Sequence, residues 1–330
     1  MKAIGVINGT LQDIELAQPQ PRAHDLVVKV EAISVNPIDY KMRGAPADGT
    51  EPRVLGWDVA GVVSAVGDQV SLFKVGDQVV YAGSLVRPGA NSQLHVVDER
   101  IVGRKPASLD FAQAAALPLT SITAWEALFE RLGVSRQGAN RGQSILIIGG
   151  AGGVGSIAIQ LAKKLAQLTV VATASRPESA AWCRDLGADH VIDHQGDMVA
   201  QLAALGLPAV DFILCFNETD KHFAAMAAAI APQGKICSIV KNEAPLALDE
   251  LFSKSATMVY ELMFTRSMFG TADMIEQHHL LNEVAQLIDD GVLVTTVNQS
   301  YGTINAANLA RAHATLEGRR AIGKIVLAGF

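Results

Sequence analysis

Short apolar runs punctuated by glycine and proline dominate the first hundred residues, and no long amphipathic stretch interrupts them. The clearest runs are Leu26 to Ile33, Val59 to Val66, Gln78 to Tyr81 and Gln93 to Val97. Runs of this length, rich in β-branched residues and bounded by turn formers, predict strands. We therefore expect a small β-rich domain that ends near Pro106. An Ala- and Leu-rich helical stretch, Phe111 to Leu132, follows it.

A different pattern covers residues 144–240, where apolar runs alternate with helical segments. The predicted strands are Ser144 to Ile148, Leu168 to Ala172, His190 to Ile192, Phe212 to Phe216 and Lys235 to Val240. The predicted helices between the first three are Val154 to Gln167 and Glu178 to Leu186. Strands that are apolar throughout and separated by helices predict a doubly wound parallel sheet covered on both faces. In the tail we expect helices at 274–289 and 306–317 and strands at 292–294 and 324–328.

Composition narrows the class of protein. The chain has 330 residues, 49% hydrophobic and 18% charged, with a net charge of −6, which favours a globular α/β protein of two domains. The acidic balance argues against a general nucleic-acid binder. No run of about 18 apolar residues predicts a membrane span, and the start MKAIGVING lacks signal-peptide features, so we expect a cytoplasmic protein. The cysteines Cys183, Cys215 and Cys237 suit neither a disulfide framework nor a zinc module.

A glycine-rich turn stands between the first predicted strand of the sheet and its helix. Counted from Gly150, the G-x-G-x-x-G spacing includes Gly152 and Gly155, with Gly153 and Val154 between them. In this context the missing side chains allow backbone N–H groups and a helix N-terminus to approach a pyrophosphate. A plain flexible turn is the alternative. We expect these residues to bind a dinucleotide.

The end of the next predicted strand indicates which nicotinamide cofactor binds. An NAD site usually has Asp or Glu there, to accept hydrogen bonds from the ribose 2′-hydroxyl. This chain has Ser175 and Arg176 instead, whose hydroxyl and guanidinium can donate to a 2′-phosphate. The sequence therefore predicts NADPH. A helix cap for Ser175 and a surface charge for Arg176 are the alternatives, and His194 is either a further phosphate ligand or a loop histidine.

Seven different motifs are distributed along nearly the whole chain: Val35 to Asp39, Gly56 to Val63, Val75 to Val79, Ala114 to Trp125, Gly149 to Gly155, Leu186 to Asp193 and Gly323 to Leu327. In order and spacing they resemble the medium-chain dehydrogenase/reductase superfamily, specifically its zinc-free quinone oxidoreductase branch and the bacterial zinc-type alcohol-dehydrogenase-like proteins. The resemblance implies a GroES-like β-rich substrate domain (1–120 and 269–330) and a Rossmann NADPH-binding domain (121–268). It also implies an active site in the cleft between domains, and a homodimer.

The zinc ligands of the alcohol dehydrogenases in this superfamily are missing from the sequence. Asn36 stands where their first cysteine is, Trp57 replaces the histidine of a Gly-His-Glu motif, and the surroundings of Leu119 lack the third ligand. We therefore expect no metal. Without a Lewis acid, hydride transfer needs an acceptor that delocalises the incoming charge onto oxygen, and quinones and α,β-unsaturated carbonyls do so.

The resemblance also implies roles for single residues. Lys41 and Tyr81 are the candidate catalytic donors to the developing oxyanion, against the alternatives of a solvated lysine and a packed tyrosine. Trp57 and Phe264 are candidate walls of the substrate pocket, although both also suit a core. The remaining candidate cofactor contacts are Asn36, Thr123, Ile239 and Arg320.

Two other functions stay open at this stage. One is a zinc-dependent NADP alcohol dehydrogenase. The other is an NADPH-sensing or RNA-binding protein with little turnover, although no basic stripe supports RNA binding. The leading hypothesis is a zinc-independent NADPH oxidoreductase acting on quinones or enones.

Overall fold

A computed structural model describes residues 1–45 and 52–330. The chain forms two compact units, one of Met1–Ile122 together with Phe264–Phe330, the other of Thr123–Met263. The strands are β1 Lys2–Ile7, β2 Thr10–Glu15, β3 Asp25–Val35, β4 Arg53–Val54, β5 Val59–Val66, β6 Gln78–Tyr81, β7 Leu94–Asp98, β8 Val102–Arg104, β9 Ser144–Ile148, β10 Thr169–Thr173, β11 His190–Ile192, β12 Val210–Cys215, β13 Ile230–Ser238, β14 Thr257–Tyr260, β15 Val297–Ser300 and β16 Lys324–Ala328. The α-helices are α1 Pro37–Gly44, α2 Phe111–Ala115, α3 Pro118–Trp125, α4 Gly153–Lys164, α5 Pro177–Asp185, α6 Met198–Ala204, α7 Thr219–Ala229, α8 Thr265–Phe269, α9 Glu276–Asp289 and α10 Ala306–Glu317.

The second unit, whose residues are all described, is built on one parallel sheet. Its strand order is β11-β10-β9-β12-β13-β14, and each neighbouring pair is parallel. The predicted doubly wound sheet is confirmed. The order reverses between β9 and β12, and ligands of open α/β sheets bind at the carboxyl end of such a switch point.

Apolar side chains hold helices α6 and α7 on one face of that sheet. Leu146 and Ile148 of β9 pack in one cluster with Leu202 of α6 and with Phe223 and Met226 of α7. All are buried, and burial of one such side chain stabilises the fold by about 1.5–3 kcal/mol. The edge of the sheet that carries the glycine turn is thereby held on a rigid scaffold.

Strand β3 organises the first unit. It pairs antiparallel with β5 along one edge and with β7 and then β16 along the other. Ile33 lies opposite Val59, and Val35 lies opposite Ile325. Because of this register, the last residues of β3, the residue before β5 and the first residue of β16 meet at one place. Within the described residues, a smaller antiparallel sheet has the order β2-β1-β4.

Two sequence expectations are corrected. The predicted strand at 292–294 is a turn that closes α9, since the N–H groups of Val292 and Leu293 both donate to the carbonyl of Leu287, and the strand of this region is β15. The helical stretch 111–132 is interrupted, because α2 ends at Ala115 and α3 begins at Pro118, which fits only the first turn of a helix. Along the described part of the chain, we find no helix with both the length and the apolarity needed to cross a bilayer.

Candidate functional site

The glycine turn joins β9 to α4 in the second unit. Gly149 has a φ of +86°, which favours glycine, and its N–H donates to Oγ1 of Thr173 at 3.0 Å. Gly152 is the N-cap of α4, and the first turn of that helix contains no acidic residue. A helix N-terminus leaves its first N–H groups without partners inside the helix and carries a partial positive charge. This end of α4 therefore suits an anion.

Gly155 is required by close packing. A Cβ atom there would lie 2.3 Å from the carbonyl oxygen of Gly149 and 2.6 Å from that of Gly150. At Gly150 it would lie 2.8 Å from Cβ of Ala172. Gly152 differs, because its Cβ would meet Gly149 O at an ordinary 3.4 Å. The turn thus has the tight strand–helix packing of a dinucleotide cradle, and its residues fit a bound pyrophosphate.

Ser175 and Arg176 follow β10 at the same edge of the sheet. Ser175 is exposed, and Arg176 is the N-cap of α5, so the alternative in which Ser175 caps this helix is wrong. The Nε atom of Arg176 forms an ion pair with Oε1 of Glu178 at 2.9 Å, and 28% of the arginine side chain is exposed. A guanidinium can donate to a 2′-phosphate, and this role of Arg176 remains a prediction.

Two histidines that the sequence did not connect lie together near this edge. His194 follows β11, His222 is on α7, and their rings meet edge to face with centroids 6.1 Å apart. His222 is buried, and burial, together with Lys221 and His194, lowers its pKa. Within the described residues, Nδ1 of His194, Nε2 of His222 and the amide oxygen of Asn217 are buried without a hydrogen-bond partner. Asn217 was missed because a single asparagine after a strand carries no recognisable spacing.

The other two cofactor candidates of this unit are less accessible. The N–H of Ile239, directly after β13, already donates to the carbonyl of Cys215 at 3.1 Å, so only its carbonyl could contact a ligand. Thr123 is buried in α3. Both remain predictions.

In the first unit Asn36 belongs to a buried polar network at the end of β3. Oδ2 of Asp58 accepts from Asn36 Nδ2 at 2.8 Å and from Lys324 Nζ at 2.9 Å, and it also accepts from Ser34 Oγ at 2.7 Å. The Lys324 ammonium donates in addition to Asn36 Oδ1 at 2.5 Å and to the Val35 carbonyl at 3.0 Å. The side chains of Lys324 and Asp58 are 3% and 0% exposed.

Asp39 fixes the start of α1 beside this network. Its Oδ2 accepts from the Asn36 N–H at 2.6 Å. Burial raises the Asp39 pKa to about 7, although this hydrogen bond and Lys324 oppose the rise. Lys324 was missed as a site residue. The signal was a lysine at the start of the apolar run Lys324–Ala328, because a charge in a buried strand needs a partner.

The residues at this place do not fit a catalytic zinc ion. Lys324 already supplies a cation to the amide oxygen of Asn36, and the Trp57 indole, whose Nε1 donates to the Ser84 carbonyl at 3.1 Å, offers no lone pair to a metal. In the described ranges no group of three or more His, Cys, Asp or Glu side chains could hold a metal ion. The cysteines are buried without disulfides in the second unit.

The structure argues against Tyr81 as a catalytic donor, and we correct that expectation. Tyr81 is 0% exposed, its hydroxyl lies 3.0 Å from Nδ1 of His95, and Nε2 of His95 lies 3.0 Å from the Pro88 carbonyl. Burial lowers the His95 pKa to about 4, so the ring is neutral at pH 7. Nε2 must donate to the carbonyl, so Nδ1 accepts and the Tyr81 proton is already used.

The remaining candidates of this unit differ in their exposure to solvent. Lys41 is exposed on α1, and Arg320 is exposed between α10 and β16. Trp57 and Phe264 are both 3% exposed and meet edge to face at 6.3 Å. They pack as one buried aromatic pair, and their role as walls of a substrate pocket remains a prediction.

Residues 22–107 match the alcohol dehydrogenase GroES-like domain, and residues 186–327 match the zinc-binding dehydrogenase domain. The chain is 39% identical over 335 residues to a zinc-type alcohol dehydrogenase-like protein of Staphylococcus epidermidis, covering 99% of each chain. It is 40% identical over 188 residues to the 2-methylene-furan-3-one reductase of Solanum lycopersicum, covering 54% of this chain and 47% of the reductase.

Solved structures extend the likeness to the whole chain. A crystal structure from Rhizobium etli, named as a candidate zinc-dependent alcohol dehydrogenase, is 53% identical with a TM-score of 0.96, covering 100% of this chain and 98% of that one. The Escherichia coli quinone oxidoreductase, crystallised with NADPH, is 26% identical with a TM-score of 0.84, covering 99% and 100%.

Proposed function

Because the chain belongs to the medium-chain dehydrogenase/reductase superfamily, we propose that it is an NADPH-dependent oxidoreductase that reduces quinones or α,β-unsaturated carbonyls without zinc. Membership in the superfamily makes it an oxidoreductase of the nicotinamide-dependent type. Its relatives include a quinone oxidoreductase and an enone reductase. The choice of acceptor and of cofactor is our proposal.

The observation that carries the proposal is the ammonium of Lys324 against Asn36 and Asp58. A divalent ion bound at Asn36 would meet this buried positive charge at close range, where repulsion is poorly screened. A Lewis acid assists hydride transfer to or from an unactivated carbonyl or alcohol, whereas a quinone or an enone delocalises the incoming charge onto an oxygen that hydrogen bonds alone can stabilise. The residues thus favour a conjugated acceptor.

The second unit supplies the groups that would hold NADPH, which when bound provides the hydride. The N-terminus of α4 and the glycine turn would bind the pyrophosphate, and Ser175 and Arg176 would donate to the 2′-phosphate, with His194 as a further donor. Thr123, Ile239, Arg320 and Asn36 remain proposed contacts to the rest of the cofactor. The bound phosphate would compete with Glu178 for Arg176.

The first unit supplies the acceptor side of the proposal. Trp57 and Phe264, whose rings pack edge to face, would provide an apolar wall for a flat conjugated molecule. Lys41 is the remaining proposed donor to the developing oxyanion, since its ammonium is exposed and the Tyr81 hydroxyl is not available. The proposal includes a homodimer in the cytoplasm, as the family resemblance implies.

A spectrophotometric screen tests the proposal. NADPH oxidation at 340 nm is followed with quinones, enones, alkenals and simple aldehydes, each with and without a chelator, and with NADH as the control cofactor. We expect turnover of quinones or enones that prefers NADPH and is unchanged by the chelator. Alcohol oxidation that requires stoichiometric zinc would establish a zinc dehydrogenase instead. NADPH binding without oxidation across the panel would establish a sensor.

A further inference from the structure

The two charged partners of Asn36 decide which way its side-chain amide faces. A carboxylate only accepts hydrogen bonds, and an ammonium only donates them. Nδ2 of Asn36 must therefore face Asp58, and Oδ1 must face Lys324, as observed at 2.8 and 2.5 Å. The flipped amide would set oxygen against oxygen and N–H against N–H, and it would lose two charge-assisted hydrogen bonds at once. Only one orientation is compatible with the pair.

Neutral partners would not impose this choice. A hydroxyl can donate to the amide oxygen or accept from the amide nitrogen, so it tolerates both orientations. Asn36 itself is 2% exposed and is held through its backbone N–H by Asp39, so a ligand has little scope to reorient it. The ion pair therefore fixes which end of the Asn36 side-chain amide faces each partner, and packing alone would not fix this.

A gain in fold stability does not by itself explain a buried ion pair at this place. Taking two charges out of water costs free energy that their attraction only partly returns, and apolar side chains of similar volume often stabilise a fold as well. The pair nevertheless joins three chain segments, since Asn36, Asp58 and Lys324 are brought together only by the register of β3 with β5 and β16. Its position at the strand ends beside α1 favours a role in the site.

We propose that Asp58 and Lys324 are positioning residues that present Asn36 to NADPH as a hydrogen-bond donor. One N–H of Nδ2 donates to Asp58. A side-chain amide nitrogen carries two N–H groups, and in this proposal the second would donate to an oxygen of the nicotinamide ribose. This inference rests on the proposed function, because it needs NADPH as the ligand. It assigns Asp58 and Lys324 to cofactor binding through Asn36, with no contact of their own to the cofactor.

The test compares three full-length variants with the wild type: Asn36→Ala, the double variant Asp58→Asn with Lys324→Met, and the triple variant that combines them. The dissociation constant for NADPH is measured by fluorescence, and KM for NADPH and for the acceptor are measured separately. We expect the double variant to weaken NADPH binding about 3- to 10-fold, the worth of one hydrogen bond, and to leave KM for the acceptor unchanged. Asn36→Ala should weaken NADPH binding to a similar degree.

Non-additivity is the decisive result. If the pair acts through Asn36, the triple variant binds NADPH no more weakly than Asn36→Ala alone. Lys324→Arg keeps a donating cation and should bind within about twofold of the wild type, which corresponds to the loss of less than one ordinary hydrogen bond. Should the double variant not fold, Asp58→Asn alone, which keeps the side-chain shape, is measured in the same way.

An ion pair at the other end of β3, in which Asp25 is buried and the arginine is 29% exposed, controls for the loss of a charge pair from this unit. Arg87 donates to both carboxylate oxygens of Asp25 at 2.8 and 2.9 Å, and the variant Asp25→Asn with Arg87→Met should change Tm but not NADPH affinity. Additive losses in the triple variant, or a folded double variant that binds NADPH like the wild type, would overturn the positioning role alone. A wild-type chain that does not bind NADPH would overturn the proposed function together with it.

Discussion

Replacing Gly155 by alanine tests the phosphate cradle directly. The added Cβ would lie 2.3 Å from the Gly149 oxygen and 2.7 Å from the Gly150 carbonyl carbon. Non-bonded carbon contacts are comfortable at about 3.5–4.0 Å, so the turn and the start of α4 must separate by roughly 1 Å. Both contacts are backbone atoms that belong to the cradle itself, so a side-chain rotation cannot relieve them.

Two effects of known size follow from this separation. Overpacking of a tight site costs about 1–3 kcal/mol, which we expect as a Tm lowered by roughly 2–10 °C in a scan without cofactor. The displaced N–H groups would also lose at least one hydrogen bond to a charged phosphate, worth about 1.5–3 kcal/mol. The Kd for NADPH should therefore rise roughly 10- to 100-fold.

Fluorescence titration with NADPH and thermal scans with and without NADPH measure both effects. Gly152→Ala is the matched control for stability, because its Cβ meets only the Gly149 oxygen at 3.4 Å and its φ is −73°. That variant should keep its Tm. A Gly155→Ala protein that binds NADPH as tightly as the wild type would refute the assignment of this turn as the pyrophosphate site.

Three further predictions concern single side chains. Arg176→Ala should raise KM for NADPH about 10- to 100-fold, through loss of a charge-assisted hydrogen bond, and leave KM for NADH nearly unchanged in steady-state assays. Tyr81→Phe should keep kcat but destabilise the fold by about 1–3 kcal/mol in urea, because Nδ1 of His95 loses its donor. His313→Leu should flatten the pH dependence of stability, since burial, with Arg43, lowers the His313 pKa from 6.5 to about 4. As the pH falls, the unfolded chain therefore binds a proton at this histidine before the folded chain does. Between pH 6.5 and about 4 the wild type should lose about 3 kcal/mol more stability than His313→Leu loses.

A control variant exists for Arg176→Ala, and a contrary result is defined for each of the three predictions. Arg184→Ala, an exposed arginine of the same helix α5, should change neither KM, and equal weakening of both cofactors by Arg176→Ala would remove that residue from the phosphate site. A Tyr81→Phe variant of normal Tm with a hundredfold lower kcat would restore Tyr81 as the proton donor. If His313→Leu and the wild type lose stability in parallel on acidification, His313 is not buried as a neutral ring.

Local pattern was sufficient for much of the fold. β5, β6, β9, β11, α10 and β16 lie where the sequence predicts them, because each combines an apolar period with clear boundary residues. The glycine turn could also be predicted, because the positions that sterically require glycine have a fixed spacing in the sequence. The prediction of a strand at 292–294 was wrong, because the apolar residues Val292 and Leu293 belong to the turn that closes α9.

Contacts between residues that are far apart in the sequence could not be predicted from local pattern. Asn36, Asp58 and Lys324 are far apart in the chain, and only the antiparallel register of three strands brings them together. The pairing of His194 with His222 likewise depends on how α7 packs. The sequence left Tyr81 open between a catalytic donor and a packed side chain, because a tyrosine at a strand end is compatible with either an open pocket or a closed core.

We propose that the chain works without a metal because the Lys324 ammonium already occupies the polar network of Asn36 and Asp58, and one measurement tests this proposal most directly. Metal content by mass spectrometry and the rate of NADPH oxidation with a quinone are determined on the same preparation, before and after exhaustive chelation and after addition of zinc. We predict less than stoichiometric zinc throughout and an unchanged rate. Zinc that binds one per chain and restores a rate lost on chelation would contradict the account.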